Sequence, residues 1–310
     1  MRVEVRNLKK HFGKTKAVDD ISFNFSSGDI VGFVGPNGAG KTTTMRILSA
    51  LEDPTEGEIL LDGHSIIEYP EKAMVTVGYM PDSLPNQNDI TVNEFLDFFA
   101  RAFGLDNKAR KNAIEETESF TKLTKLRNKT LKQLSKGMKQ RVSLARAIIH
   151  DPDILILDEP AAGLDPRARV ELLDMLKELA SRGKAILVSS HILSELGEIC
   201  DNILIIEKGK LLYSGQIDHI MSSNIVTTKK IQISHIDCKE KILKILETTG
   251  KIENIEAGSI NIKAEYSGDD TDIANLLESL IDGGCRITEF RIIGRTLSDI
   301  FMDITKGEVS

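Results

Sequence analysis

The chain has 310 residues and a formal net charge of −7, with a pI near 5.5. This length suits two domains, and the acidic balance argues against a nucleic-acid-binding surface as its main business. Its three cysteines, Cys200, Cys238 and Cys285, are widely spaced and odd in number, make no disulfide or metal-binding pattern, and read as buried thiols. No apolar run approaches the ~18 residues that span a bilayer, and the stretch from Met1 to Val5 lacks a signal-peptide core, so a soluble, cytosolic chain is expected.

The first informative element is Ile30-Val31-Gly32-Phe33-Val34, short and apolar enough for a buried parallel strand. It runs into Gly35-Pro36-Asn37-Gly38-Ala39-Gly40-Lys41-Thr42, and the residues from Thr43 to Leu48 continue with helical spacing. Strand, glycine loop and helix are the context a phosphate loop requires. The glycines let successive backbone N–H groups turn inward around the β- and γ-phosphates of a nucleoside triphosphate. The helix N-terminus adds unpaired donors and partial positive charge. Lys41 supplies a point charge there, and Thr42 is placed to put its hydroxyl on Mg²⁺.

From about residue 86 to 132 the composition changes. Thr91-Val92-Asn93-Glu94 reads as a capping box opening a helix that carries Phe95, Leu96, Phe98, Phe99, Ala102 and Phe103. Such a concentration of aromatic side chains is expected mainly as core. Ser135 then precedes an amphipathic helical stretch from Val142 to Ile149, where it serves as a helix N-cap whose neighbouring amides form a second anion-binding position. An ordinary serine cap looks the same. Farther on, Ile154-Leu155-Ile156-Leu157 leads into Asp158-Glu159-Pro160. Four apolar residues followed by two acids describe a central buried strand that opens on a ligand crevice. Asp158 can hold Mg²⁺ there, and Glu159 can take a proton from the water that attacks the γ-phosphate.

Past Gly215-Gln216-Ile217 the pattern changes again, and Ser222-Ser223-Asn224 makes a linker. Alternating Ile231/Ile233, a helix with Ile242, Ile245 and Leu246, and strands around Ile252/Ile255 and Ile260/Ile262 come next. A second helix through Ile273, Leu276 and Leu280 is stopped by Gly283-Gly284, and a last strand covers 286–292. The order strand-helix-strand-strand-helix-strand predicts a small α+β sandwich of ferredoxin-like type. A final helix is expected over 297–304. The residues from 226 onward include 11 basic and 15 acidic side chains, which disfavours a nucleic-acid role for this part.

Taken in order, these motifs resemble those of ATP-binding cassette (ABC) transporter ATPases, the match covering residues 2–220. The family's signature Leu-Ser-Gly-Gly-Gln is here Leu134-Ser135-Lys136-Gly137-Met138. The resemblance implies that Ser135 and Gly137 contact the γ-phosphate held by the opposing subunit, and that Phe12 stacks on adenine. It further implies that residues 35–43, including Pro36, Asn37, Ala39 and Thr43, cradle the nucleotide, and that His191 contacts the γ-phosphate and orients the attacking water. Gly163-Leu164-Asp165 resembles the loop that crosses the dimer interface. After Tyr79-Met80-Pro81 the family commonly has glutamine touching Mg²⁺, whereas this chain has Asp82. Asp82 either reaches the metal or is a turn residue before Ser83.

The resemblance thus implies an α/β P-loop cassette at 1–222 with a helical subdomain at about 86–150, and an α+β accessory domain at 226–310. This second part resembles the C-terminal extensions of exporter-type cassettes. ATP and Mg²⁺ are the implied cofactors, with Lys41, Glu159 and His191 catalytic and Thr42, Asp158 and Asp82 on the metal. One phosphate loop and one signature per chain imply a second cassette subunit, identical or related. Separate transmembrane permease subunits are the other implied partner, with no nucleic acid, and the chain is placed in the cytoplasm, peripheral on the inner face of the cell membrane. A soluble ABC-type ATPase serving cofactor assembly is the alternative.

Overall fold

Period-two alternation of apolar side chains near the N-terminus builds a long antiparallel ribbon, with Val3, Val5, Leu8, Ile21, Phe23 and Phe25 turned inward. The computed structural model describes residues 1–84, 89–191, 196–222, 228–293, 299 and 301, and the chain divides into two compact units, Met1–Asp218 and His219–Ser310.

In chain order the first unit begins with β1 (Arg2–Phe12), β2 (Thr15–Ser26), β3 (Ile30–Val34) and α1 (Lys41–Leu48). Next come β4 (Glu56–Leu61), β5 (His64–Ser65), α2 (Pro70–Thr76) and β6 (Val77–Met80), then the helices α3 (Val92–Ala102), α4 (Asn107–Phe120) and α5 (Lys136–Ile148). The remainder is β7 (Ile154–Leu157), α6 (Pro166–Ser181), β8 (Ala185–Ser190), β9 (Asn202–Glu207) and β10 (Lys210–Gln216).

Two sheets result, one in the order β2-β1-β4-β5 and one in the order β10-β9-β3-β8-β7-β6. In the second, β3 pairs parallel with both β8 and β9, and β7 pairs parallel with both β8 and β6. Only β10 runs antiparallel, along the edge. Every residue of β3, β7 and β8 is buried, as strands covered on both faces must be. Phe23 and Phe25 of the ribbon, Phe33 of β3, Met45 and Ile47 of α1, and Ile154 and Ile156 of β7 belong to one core. The C-terminal ends of β3, β7 and β8 therefore emerge side by side, which positions the site.

Between β6 and β7, the helices α3, α4 and α5 enclose a separate core with Val92, Phe95, Leu96, Ile114, Val142 and Ala145. The expected capping box is present. Thr91 N donates to Glu94 Oε2 at 2.8 Å, and Glu94 N donates to Thr91 Oγ1 at 3.2 Å. The aromatic side chains here do not all go inward. An eleven-residue helix buries one stripe, so Phe95 is fully enclosed while Phe98 is 60% and Phe103 37% exposed.

Ser222, expected in a linker, instead ends a short helix α7 (Ile217–Ser222); Ser223 and Asn224 lie outside the described residues. The second unit contains β11 (Thr228–Ile236), α8 (Lys239–Thr248), β12 (Ile252–Ala257), β13 (Asn261–Ser267), α9 (Asp270–Asp282) and β14 (Arg286–Ile293). Its antiparallel sheet has the order β12-β13-β11-β14, which is the interleaved βαββαβ arrangement of a ferredoxin-like sandwich. Ile231, Ile233, Ile262 and Tyr266 from the sheet pack with Ile242, Leu246, Ile273, Leu276 and Leu280 from the helices. The stop after α9 is made by Gly284 at φ 71°, a left-handed backbone that glycine adopts without strain. The helix expected over 297–304 lies outside the described residues except for Asp299 and Phe301, which are helical.

Candidate functional site

β3 delivers the chain into the loop from Gly35 to Gly40, and α1 begins at Lys41. Gly40, at φ 109°, is the residue before the helix, and a Cβ there would collide with the carbonyl oxygen of Ala17. Only glycine fits that turn. Residues 37–43, Ala17, Asp82, Asp158 and Glu159 line a cleft of about 240 Å³ at the N-terminus of α1. The helix dipole makes this end electropositive.

Lys41 is buried at this mouth and folds back over the loop. Its ammonium donates to Gly35 O at 2.6 Å and to Pro36 O at 3.2 Å, and stands 3.8 Å from Glu159 Oε1. Burial holds its pKa below the ordinary lysine value, against the opposing pull of the Glu159 and Asp158 carboxylates. Phosphate oxygens are better acceptors for this cation than the two carbonyls it now holds.

Asp158 leaves the end of β7 and is 2% exposed. Thr42 Oγ1 donates to its Oδ2 at 2.7 Å, and Ser189 Oγ donates to its Oδ1 at 2.7 Å. The same serine hydroxyl accepts from Glu159 N at 2.8 Å. Glu159 sits at φ 49°, an unusual backbone for a non-glycine residue, which turns the chain sharply out of the strand. Its Oε2 lies 2.7 Å from His191 Nδ1 at the end of β8. Thr42, Asp158, Ser189, Glu159 and His191 thus form one bonded series from the loop to the far rim of the cleft.

Asp82 lies on the cleft wall. Its backbone oxygen accepts from Gln140 Nε2 at 3.3 Å, and its Oδ1 accepts from Ser83 Oγ at 3.3 Å. Phe12, at the end of β1, is 50% exposed beneath Lys10 Nζ, which is 4.9 Å from the ring centroid, and does not line the cleft. Neither do Ser135 and Gly137. Ser135 caps α5, accepting from Met138 N at 3.3 Å, and Gly137 packs toward Ala168, to whose Cβ an added Cβ would approach within 3.2 Å. The structure therefore brings together the loop, Asp82, Asp158, Glu159 and His191, and leaves Ser135 and Gly137 outside the lining of the cleft.

Ser189, Gln140 and Ala17 escaped the sequence reading. Ser189 had a usable signal, since it ends an apolar strand two residues before His191 and its neighbour strand ends in Asp158. Ala17 reaches the cleft, and Gln140 the backbone of Asp82 on its wall, only through tertiary packing.

Oxygen donors from Thr42 and Asp158 suit a hard cation such as Mg²⁺. Among the described residues no group of three or more His, Cys, Asp or Glu side chains is arranged around a metal. A bound cation would complete its shell with nucleotide and water oxygens, as Mg²⁺ commonly does.

The family model described as ABC transporter matches residues 18–162. The "Nod factor export ATP-binding protein I" of Burkholderia lata is 38% identical over 223 residues, covering 72% of this chain and 73% of that protein. The "Uncharacterized ABC transporter ATP-binding protein YhcH" of Bacillus subtilis is 34% identical over 306 residues, 98% of this chain and 95% of that protein, so the likeness extends through the second unit. Among solved structures, an ATP-binding subunit of an ABC transporter superimposes with a TM-score of 0.65 at 30% identity, covering 71% of this chain and 92% of that one. A Clostridium perfringens cbiO1, described as part of the ABC transporter complex cbiONQ, gives 0.65 at 26% identity over 72% of this chain and 91% of that one.

Proposed function

We propose, from the premise that this chain belongs to the ABC transporter family of ATP-binding cassettes, that the cleft described above is its ATP-hydrolysing site and that the chain powers export through separate permease subunits. The observation that carries the site assignment is the bonded series from Thr42 through Asp158 and Ser189 to Glu159 and His191, set beside a phosphate loop.

In this reading Lys41 exchanges its two carbonyl partners for β- and γ-phosphate oxygens, and the amides of residues 37–43 hold the remaining phosphate charge. Thr42 and Asp158 hold Mg²⁺, with Asp82 on the same wall. The cation, when bound, neutralises charge on the phosphates. Glu159 accepts a proton from the attacking water, and His191 keeps that carboxylate aimed. Phe12 stacks on adenine, its exposed ring available at the end of β1. Ser135 and Gly137 complete the site of a second cassette, since in their own chain they stand away from the cleft. The relative's name, Nod factor export, supports the outward direction, and the cbiONQ complex of the cbiO1 neighbour supports partnership with other transporter subunits. These names favour transport over a soluble ATPase of cofactor assembly. No helix among the described residues is long and apolar enough to cross a membrane, in keeping with attachment to the inner face of the membrane through a permease.

The test is Glu159→Gln. It is expected to keep ATP affinity, slow hydrolysis by about 10²- to 10⁴-fold, and accumulate an ATP-bound dimer in size-exclusion chromatography. Turnover at the wild-type rate would reassign the base.

A further inference from the structure

Both margins of the second unit's sheet are strands with a single partner among the described residues, β12 on one side and β14 on the other. Such a margin offers a row of backbone N–H and C=O groups to any extended chain, and proteins usually blunt it with charge or irregularity. β12 is blunted in both ways. It carries Glu253 and Glu256 with no basic side chain, and its register against β13 slips between those two acids. β14 is blunted only at its start, where its register with β11 breaks between Ser234 and His235 and where Arg286 lies 3.6 Å from Asp237 of its own chain. From Glu289 to Ile293 it runs unbroken along Ser234 to Lys230. Opposed residues share a face, so Phe290 and Ile292, opposite the buried Ile233 and Ile231, stand on the core side, and Glu289 and Arg291 stand on the other. Ile292 is nevertheless 44% exposed, and Phe290 is only partly buried against the core. Gln232 and Ser234 donate to Glu289 Oε2 at 3.4 and 3.2 Å, which steadies the carboxylate. Its Oε1 is 3.9 Å from Arg291 Nε, a loose contact between two exposed side chains.

We propose that β14 pairs with β14 of a second copy of this chain, antiparallel about a two-fold axis through Phe290, so that two four-stranded sheets become one. Because opposed residues share a face, the axis must pass through a residue. Centred on Phe290, the register sets Glu289 of each copy opposite Arg291 of the other, two attractive pairs for one axis. Centred on Glu289 or Arg291 it sets like charges face to face, and centred on Ile292 it leaves Glu289 opposite a position beyond the strand. The Phe290 rings meet across the axis as an aromatic cross-strand pair, and the exposed Ile292 is covered at the rim. The contact is isologous and closes at two copies, whereas β14 set against the acidic β12 of another copy is head-to-tail and leaves a margin open at each end. It requires no nucleotide. On the function proposed above, it keeps two chains tethered when their composite ATP site opens, so that reclosure is an intramolecular event.

The experiment is sedimentation equilibrium of the full chain in EDTA without nucleotide, which reads the sheet margin and not the ATP site. Wild type is expected to be a reversible dimer. Glu289→Arg and Arg291→Glu each replace two attractive pairs by two repulsive ones, and each is expected to raise the dimer Kd by about tenfold or more. An equimolar mixture of the two single variants restores both opposite-charge pairs and is expected to dimerise as wild type does, as is the double variant that carries both changes. Circular dichroism checks folding, and Arg291→Gln replaces a single variant that misfolds, with a smaller rise in Kd expected. A monomeric wild type, an unchanged Kd in the folded variants, or a loss that neither the mixture nor the double variant repairs would each overturn the pairing. Tighter association of Glu289→Arg into species larger than a dimer would also overturn it, in favour of β14 on β12.

Discussion

One hydroxyl connects the two acids of the cleft. Ser189 Oγ gives its proton to Asp158 and accepts the N–H of Glu159, so it fixes both the carboxylate beside Thr42 and the left-handed turn that aims the next side chain. Ser189→Ala strands a buried donor and a buried acceptor together, which costs about 1–3 kcal/mol. Chemical denaturation should show that loss, and ATPase kinetics should show kcat falling more than KM, because the misdirected group acts after nucleotide binding. Ser189→Thr, which keeps the hydroxyl, should recover most of both. Wild-type stability and kcat in the alanine variant would remove Ser189 from the positioning role. Asp158 and Glu159 were legible in the sequence because two acids after four apolar residues mark a strand end. Ser189 offered only its place near the end of an apolar strand, because its partners lie about thirty residues away and meet it only when β7 and β8 pair.

At the scale of elements, α5 spans from the signature to the helical core. Its first turn is capped by Ser135, and just past its last turn His150 stacks on Phe103, with ring centroids 3.7 Å apart and planes within 13°. Burial pushes the His150 imidazole down to about 4, outweighing the Asp151 charge that favours protonation. The unfolded value is about 6.5, so the unfolded chain binds the proton first as pH falls. The neutral ring's contribution is therefore complete above about pH 6.5 and is lost progressively toward pH 4. Allowing for partial solvent screening, this amounts to about 1–2 kcal/mol. Urea unfolding between pH 4.5 and 7.5 should reveal this slope, and His150→Phe, which preserves an aromatic face for Phe103, should flatten it. An identical slope in the variant would assign the pH dependence to other groups.

For the whole molecule, the separation of Ser135 and Gly137 from the cleft is the consequential fact. On the proposed function, these two residues complete the site of a second copy or a related cassette. In a forced heterodimer of Lys41→Ala and Ser135→Arg subunits, one composite site carries both defects and the other neither. About half the wild-type ATPase is expected where sites fire independently. An ATP-bound structure in which Ser135 touches the nucleotide of its own subunit would overturn composition in trans.

The sequence by itself determined what depends on neighbours along the chain. The glycine spacing of residues 35–40 between an apolar strand and a helix, the acid pair at the end of 154–157, the Thr91–Glu94 capping box and the alternating order of the last six elements are local patterns, and local backbone chemistry enforces them. Tertiary structure decided what depends on pairing between distant segments. Parallel register set Ser189 beside Asp158, the packing of α5 brought Gln140 to the backbone of Asp82, and one face of α3 left Phe98 in solvent while Phe95 was enclosed. Likewise, Cys238 and Cys285, far apart in sequence, flank the paired residues Ile236 and Arg286 where β11 and β14 align. Such contacts are set by which strands share hydrogen bonds, a property of the folded chain as a whole that no window of residues contains.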